Sequence, residues 1–329
     1  MRADKHLARC AVLLGLALVV TAGCRSPMNE VAVGPVAEAR QRVRQQPNTH
    51  DSWLALGQAY LNEENYNDAH IAFKRAWSMD QKSAPALRGL AECALALGDP
   101  QTGLNWVKQA LALDSQDATA IGLRGRLKFS QGDLAGAYQD LMYARKLASL
   151  ALKDSLTLTN VHLAQKKPDE ALAQAEETVR RFPLEAHAHH NYGVLLDTLD
   201  RPREAEDEYR LAIKCDPDLH RDKLLLAQLL VRRRQKLDEA RALALEVATK
   251  EPMEGVPAAV AARALYLQGD KHAGYKELIG VQKQFRYTPI VLLWIYEAAQ
   301  ELGDREVAES VRKILTQMSA PRPAASDES

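Results

Sequence analysis

WLALGQAYLNEENYNDAHIAFKRA, residues Trp53–Ala76, decides how the rest of the chain is read. Trp53, Leu56 and Tyr60 fall three and four apart, so they form one stripe of a helix. Gly57 and Ala69 are small enough to let two helices approach closely, and Phe73 with Ala76 makes the matching stripe on the second helix. The same pattern returns every 34 residues. One step on it reads Leu87, Leu90, Ala91 and Ala94, then Gly103, Val107 and Ala110. The next step gives Ile121, Arg124, Gly125 and Lys128, then Ala137, Leu141 and Ala144. The fifth copy reads His189, Tyr192, Gly193 and Leu196, then Ala205, Tyr209 and Ala212, and closes at Pro217. A fixed period of this size marks a solenoid, because two short helices cannot bury such stripes alone while stacked neighbours can.

Working outward, turn residues punctuate the frame. Gly98-Asp99-Pro100, Gly132-Asp133, Asp200-Arg201-Pro202, Gly269-Asp270 and Gly303-Asp304 divide the two helices within a unit, while Pro183, Pro217 and Pro252 divide units. The units tile as 50–83, 84–117, 118–151, 152–185, 186–219, 220–254, 255–288 and 289–320. The sixth carries one extra residue near Arg234-Gln235-Lys236, and the fourth has Thr159 where its neighbours have a small residue. Residues 35–49 read as a capping segment for the stack, its helix running from Pro35 to Gln45 with Pro35 at its start and Pro47 beyond its end. The Pro-, Ala- and Ser-rich tail 321–329 is expected to be disordered.

The match to Trp-x2-Leu-Gly-x2-Tyr followed by Ala-x3-Phe-x2-Ala is complete in Trp53–Ala76, and this stretch resembles the tetratricopeptide repeat (TPR) family. The resemblance implies an all-α solenoid, a right-handed superhelix of about eight helix-turn-helix repeats and about seventeen helices. It also implies a protein that binds other proteins and is not an enzyme.

The first 24 residues read as targeting rather than fold. Arg2, Lys5 and Arg9 precede the apolar run 11–20, and small residues Thr21-Ala22-Gly23 lead to Cys24, a secretory-signal pattern over 1–23. The run is too short to span a bilayer comfortably. Ala22-Gly23-Cys24 resembles the bacterial lipobox, with Thr21 where that family usually has Leu. That resemblance implies a lipidated Cys24, a tether over 24–34 and, with Arg25 in place of Asp, an outer-membrane protein facing the periplasm. A plain cleaved signal with a soluble periplasmic product accommodates the same residues.

Composition excludes some classes. Taking Arg2, Lys5, Arg9 and Asp4 from the 43 basic and 43 acidic residues leaves 40 and 42, a balance that gives no reason to expect nucleic-acid binding. Of the four cysteines, Cys93 and Cys215 fall in different units and are not expected to pair. There is no phosphate-cradling glycine loop, no His-Glu-x-x-His, no Gly-x-Ser-x-Gly and no Cys-x-x-Cys, so no cofactor is implied. His187, His189 and His190 are close enough in sequence to suggest a metal, but no Cys or carboxylate is positioned with them, and none is expected. The basic run Arg232-Arg233-Arg234 with Lys236 suits a solvated helix end.

In TPR arrays the first helices of successive units line the concave face, which takes an extended peptide or a partner helix. Carried onto this sequence, that face comprises Arg88, Glu92, Arg126, Lys153, Asn160, His187, His190, Asn191, Arg221, Gln228 and Arg263, centred on the fourth to sixth units. The carboxylate clamp of chaperone-binding TPR proteins is matched only at Asn160, Asn191 and Arg221, with Leu156 and Leu225 in two basic places, so capture of a peptide C-terminus is not expected. The chain as a whole is similar to TPR lipoproteins of pilus and secretion systems, implying a scaffold that assists assembly of an envelope complex. Adaptors for cell-wall-remodelling enzymes share the same features, as would a soluble regulatory TPR module.

Overall fold

A computed structural model of the chain describes residues 34–285 and 288–319. The signal segment 1–23, Cys24 and the tail 321–329 therefore lie outside the described residues. Within them are seventeen α-helices and no strand. The capping helix α1 (Pro35–Gln45) is followed by pairs: α2 (His50–Asn62) with α3 (Tyr66–Met79), α4 (Ala84–Ala96) with α5 (Pro100–Leu113), and α6 (Ala118–Ser130) with α7 (Leu134–Leu147). The next pairs are α8 (Leu152–Ala164) with α9 (Pro168–Arg181), α10 (Ala186–Thr198) with α11 (Pro202–Cys215), and α12 (His220–Arg233) with α13 (Leu237–Lys250). Two last pairs close the array, α14 (Gly255–Gln268) with α15 (Lys271–Gln284) and α16 (Pro289–Leu302) with α17 (Arg305–Ser319). Each helix packs on the next, and first helices of adjacent units also touch, α2 on α4, α4 on α6 and α6 on α8.

The turns inside the pairs explain the punctuation. A left-handed residue ends each first helix at Glu64, Gly98, Gly132, Lys166, Asp200 and Arg234, each 34 after the last, then at Gly269 and Gly303. This geometry lets the following N–H reach back to close the helix, as Asp99 does to the Ala94 carbonyl at 2.9 Å and Asp304 to Ala299 at 2.8 Å. Asn65, Asp99, Asp133 and Asp270 then cap the second helix through their side chains. The extra residue of the sixth unit lies between Arg234 and Leu237, where Lys236 adds a second left-handed residue (φ 47°).

Packing inside a pair follows a size rule. A Cβ on Gly57 would come within 2.7 Å of the Phe73 ring, and one on Gly193 within 2.9 Å of Tyr209. Phe73 and Tyr209 are each 1% exposed, so the glycines make room for buried rings on the second helix. In the fourth unit the same two phases hold Thr159 and Ala175, a larger residue facing a smaller one, and both are buried. Thr159 also hands its hydroxyl proton to the Ser155 carbonyl at 3.3 Å. In this unit the larger residue sits on the first helix and the smaller on the second, and this reversal explains why its stripe departs from the others.

Candidate functional site: the groove of the first helices

A hollow of about 730 Å³ is lined by first helices of four successive units. From α2 come Asp51, Leu54, Ala55, Gln58 and Leu61; from α4, Pro85, Arg88, Gly89 and Glu92; from α6, Thr119, Leu123 and Arg126; from the start of α8, Leu152, Lys153 and Asp154. Phe73 of α3 forms part of its floor. A second hollow of about 380 Å³ continues from it, sharing Arg126 and Lys153 and adding Leu156, Asn160, His187, His190 and Asn191. First helices line both because their apolar stripes turn toward the second helices, leaving another stripe facing the inside of the curve.

Of the sequence-predicted residues, the structure gathers Arg88, Glu92, Arg126, Lys153, Asn160, His187, His190 and Asn191 around these two hollows. Arg221 is exposed and Gln228 half-buried on α12, beyond them. Arg263 is only 8% exposed and lies in a separate hollow with Tyr266, Glu297 and Glu301, its guanidinium 5.3 Å from the Tyr266 ring centre. It is therefore not on an open face. The hollow's largest part also sits over the first four units rather than the fourth to sixth, and its walls are more apolar than a polar concave face implies.

Several of these residues are already engaged. Arg126 donates to both Glu92 oxygens, at 2.7 and 2.8 Å, and Lys153 donates to Glu92 Oε1 at 2.7 Å. One carboxylate thus ties α4, α6 and α8 together. Burial pushes Glu92 up, but hydrogen bonds and charge from Arg126 and Lys153 outweigh it and hold the carboxyl below its ordinary value. Arg88 donates to Asp117, the N-cap of α6. His190 Nδ1 donates to Asp222 at 2.9 Å, and Arg263 donates to Glu297 at 2.6 Å. Asn160, His187, Asn191, Arg221 and Gln228 make no side-chain hydrogen bond among the described residues, so they retain free donors and acceptors.

The histidine trio does not converge. His189 Nδ1 faces Glu208 at 2.7 Å and its Nε2 the Pro183 carbonyl at 3.1 Å, while His190 turns to Asp222. Among the described residues no group of three His, Cys, Asp or Glu is arranged to hold a metal. The basic run is no plain solvated helix end. Arg233 and Lys236 converge on Glu206, Arg210 joins it at 3.0 Å, and Arg232 pairs with Asp197. Cys93 and Cys215 are both free thiols.

Sequence reasoning missed Asp154. It occupies a phase held by Ser52, Ala86, Ala120 and Ala188 in four units and by an acid only here and at Asp222, and that was the available signal.

Comparison with known proteins places the repeats. Residues 28–155 match the family model described as the cytochrome c-type biogenesis protein H TPR domain, and residues 156–220 match that of the tetratricopeptide repeat. The chain is a tetratricopeptide-repeat protein. It is similar to the type IV pilus assembly protein PilF of Pseudomonas aeruginosa, 28% identical over 170 residues, covering 51% of this chain and 62% of PilF. It is also similar to the formate-dependent nitrite reductase complex subunit NrfG of Escherichia coli O157:H7, 23% identical over 149 residues, covering 43% of this chain and 75% of that one. The chain thus spans about three fifths of the length of PilF. Among solved structures, the APC/C hetero-tetramer Cut9-Hcn1 superposes with a TM-score of 0.59 at 18% identity, over 69% of this chain and 45% of that one, a likeness of fold alone. TPR proteins as a class are interaction modules that bind peptides or proteins in a groove. Among the described residues no helix is long and apolar enough to cross a membrane.

Proposed function

We propose that this TPR protein is a non-enzymatic scaffold whose groove, running from α2 to α10, receives a segment of another protein during assembly of an envelope complex such as a pilus or secretion channel. The observation that carries this reading is the pair of adjoining hollows over five first helices, the larger apolar on its walls and the smaller fringed by free amides at Asn160 and Asn191. Apolar walls supply the area term of binding, while amides and guanidinium groups hydrogen-bond an extended backbone. A few anchors dominate such an interface and the remaining contacts exclude water. The similarity to PilF supports a pilus-type assembly. A second reading, favoured by the match of residues 28–155 and by NrfG, is that the complex served is a reductase or cytochrome assembly.

The protein is held at the outer membrane, facing the periplasm, by lipid on Cys24. A single acyl chain binds a membrane only marginally, so several chains on this cysteine are required. Cys24→Ala is expected to move the protein from the membrane fraction to the soluble envelope fraction; wild type already in the soluble fraction would exclude the anchor.

Site-specific photo-cross-linking in intact cells tests the groove and names the complex. A photo-reactive residue at Gln58, on the groove rim, should capture the partner, whereas one at Ile71, 62% exposed on α3, should not. The double change Asn160→Ala, Asn191→Ala should weaken that partner's binding without lowering the melting temperature. Capture from Ile71 and not Gln58 would assign the partner to the second helices instead.

A further inference from the structure

Asp154 lies in the first turn of α8, 5% exposed, and accepts no hydrogen bond among the described residues. Its nearest charged neighbour is Arg126 Nε at 4.0 Å, and the other two nitrogens of that guanidinium are committed to Glu92. The carboxylate borders the larger hollow. An acid this buried, with no hydrogen bond and only one distant ion pair, is expensive, and a native fold keeps one only where something compensates it.

The repeat supplies an internal comparison. Asp222 occupies the same phase two units later, is equally buried, and is satisfied by His190. The phase of His190 in the unit beneath Asp154 is Gly122, which has no side chain to offer; a Cβ there would run into the Asp154 carboxylate. The array provides the donor at one site and omits it at the other, and the omission faces the groove. Charge points the same way. Four carboxylates, Asp51 on α2, Glu92 on α4, Asp117 before α6 and Asp154 on α8, meet three permanent cations around the hollow, Arg88, Arg126 and Lys153. Arg88 is taken by Asp117, and Lys153 with most of Arg126 by Glu92, so Asp154 keeps only the 4.0 Å approach of Arg126 Nε, while the rim residue Asp51 faces His50 at 2.9 Å.

We propose that Asp154 anchors a cationic side chain of the bound partner, a Lys or Arg carried on an apolar segment. This deepens the groove reading and rests on it. The cation's aliphatic stem and its flanking residues lie against Leu54, Leu61, Leu123 and Leu152, and its N–H groups take the place that the His190 ring holds beside Asp222. The positive end of α8 favours the ionised carboxylate that such a partner needs.

The test is selection of a phage-displayed random heptapeptide library on the full-length chain at pH 7.5. Retained peptides are expected to be enriched in Lys or Arg beside apolar residues, and Asp51→Asn should keep that bias while Asp154→Asn abolishes it. For one selected peptide, replacing its Lys by norleucine should weaken binding to wild type about tenfold and leave binding to Asp154→Asn unchanged. Absence of a basic bias, or its survival in Asp154→Asn, overturns the proposal. Ala55→Trp, which fills the groove, separates the two layers of the argument. Peptides blocked by Ala55→Trp but indifferent to Asp154→Asn leave the groove reading standing and sink the cation; no retained peptide, or none blocked by Ala55→Trp, sinks both.

Discussion

Asp154→Asn should stabilise the folded protein at alkaline pH and lose that advantage in acid. Burial is the first cause of the displaced titration of Asp154, with Glu92 adding to it and Arg126 and Lys153 opposing; together they raise the carboxyl from 3.8 to about 6. Between those values the folded state holds a proton that the unfolded chain has released, so stability falls as pH rises from about 4 to about 6. Above that window the cost is complete, on the order of 3 kcal/mol at 1.36 kcal/mol per pH unit. Below about 4 both states are protonated and the cost is gone. The amide keeps the shape without the charge but is itself unpaired, which costs on the order of 1–2 kcal/mol. The net gain at pH 8 is then roughly 1–2 kcal/mol, seen as a melting temperature about 2–6 °C higher than wild type. Melts of both proteins followed by circular dichroism at pH 8 and pH 4 read the difference directly. A variant that melts lower than wild type by the same margin at both pH values would refute the reasoning, since it would mean that Asp154 is well satisfied in the fold.

Glu92→Gln should do the reverse: it removes the acceptor shared by Arg126 and Lys153, leaves the half-buried guanidinium unpaired, and is expected to lower the melting temperature at pH 7 with the loss shrinking as pH falls through the carboxylate range. Gly57→Leu should overpack the first unit against Phe73 at a cost of about 1–3 kcal/mol, and Phe73→Ala in the same chain should recover part of it, measured as a double-mutant cycle in urea. Lys166→Gly, at φ 60°, should raise stability by about 1 kcal/mol because it relieves a left-handed residue, whereas Gly98→Ala, at φ 79°, should lower it by a similar amount. Equal melting temperatures for wild type and both turn variants would show that these turns are relaxed.

The fold was legible because its information is redundant. Eight left-handed positions repeat every 34 residues, save one step of 35 across the sixth unit, and the four without glycine, Glu64, Lys166, Asp200 and Arg234, could be placed only from the four that have it. Thr159 looked like a defect until Ala175 was seen opposite it in phase, because a size rule acts between helices and single positions do not state it. The groove was legible in part. Phase alone put Arg88, Glu92, Arg126 and Lys153 on one face, but not that they neutralise one another; the clue was that Glu92 and Arg126 are opposite charges one period apart, as are Arg263 and Glu297. Burial of Arg263 was hidden because it depends on Tyr266 and Trp294 closing over it, and Trp294 is an aromatic residue without a counterpart in the earlier units.

The volume rule inside each pair also sets an order in which the chain can change. A glycine facing a buried ring, as Gly193 faces Tyr209, cannot grow first, because the new side chain would have nowhere to go. The ring can shrink first, since a cavity is tolerated until the opposite residue enlarges to fill it. A pair such as Thr159 and Ala175 is therefore reachable from a glycine and an aromatic by one route and not by the other. Mutational drift is directional wherever a glycine faces a buried ring: at those units loosening must precede refilling.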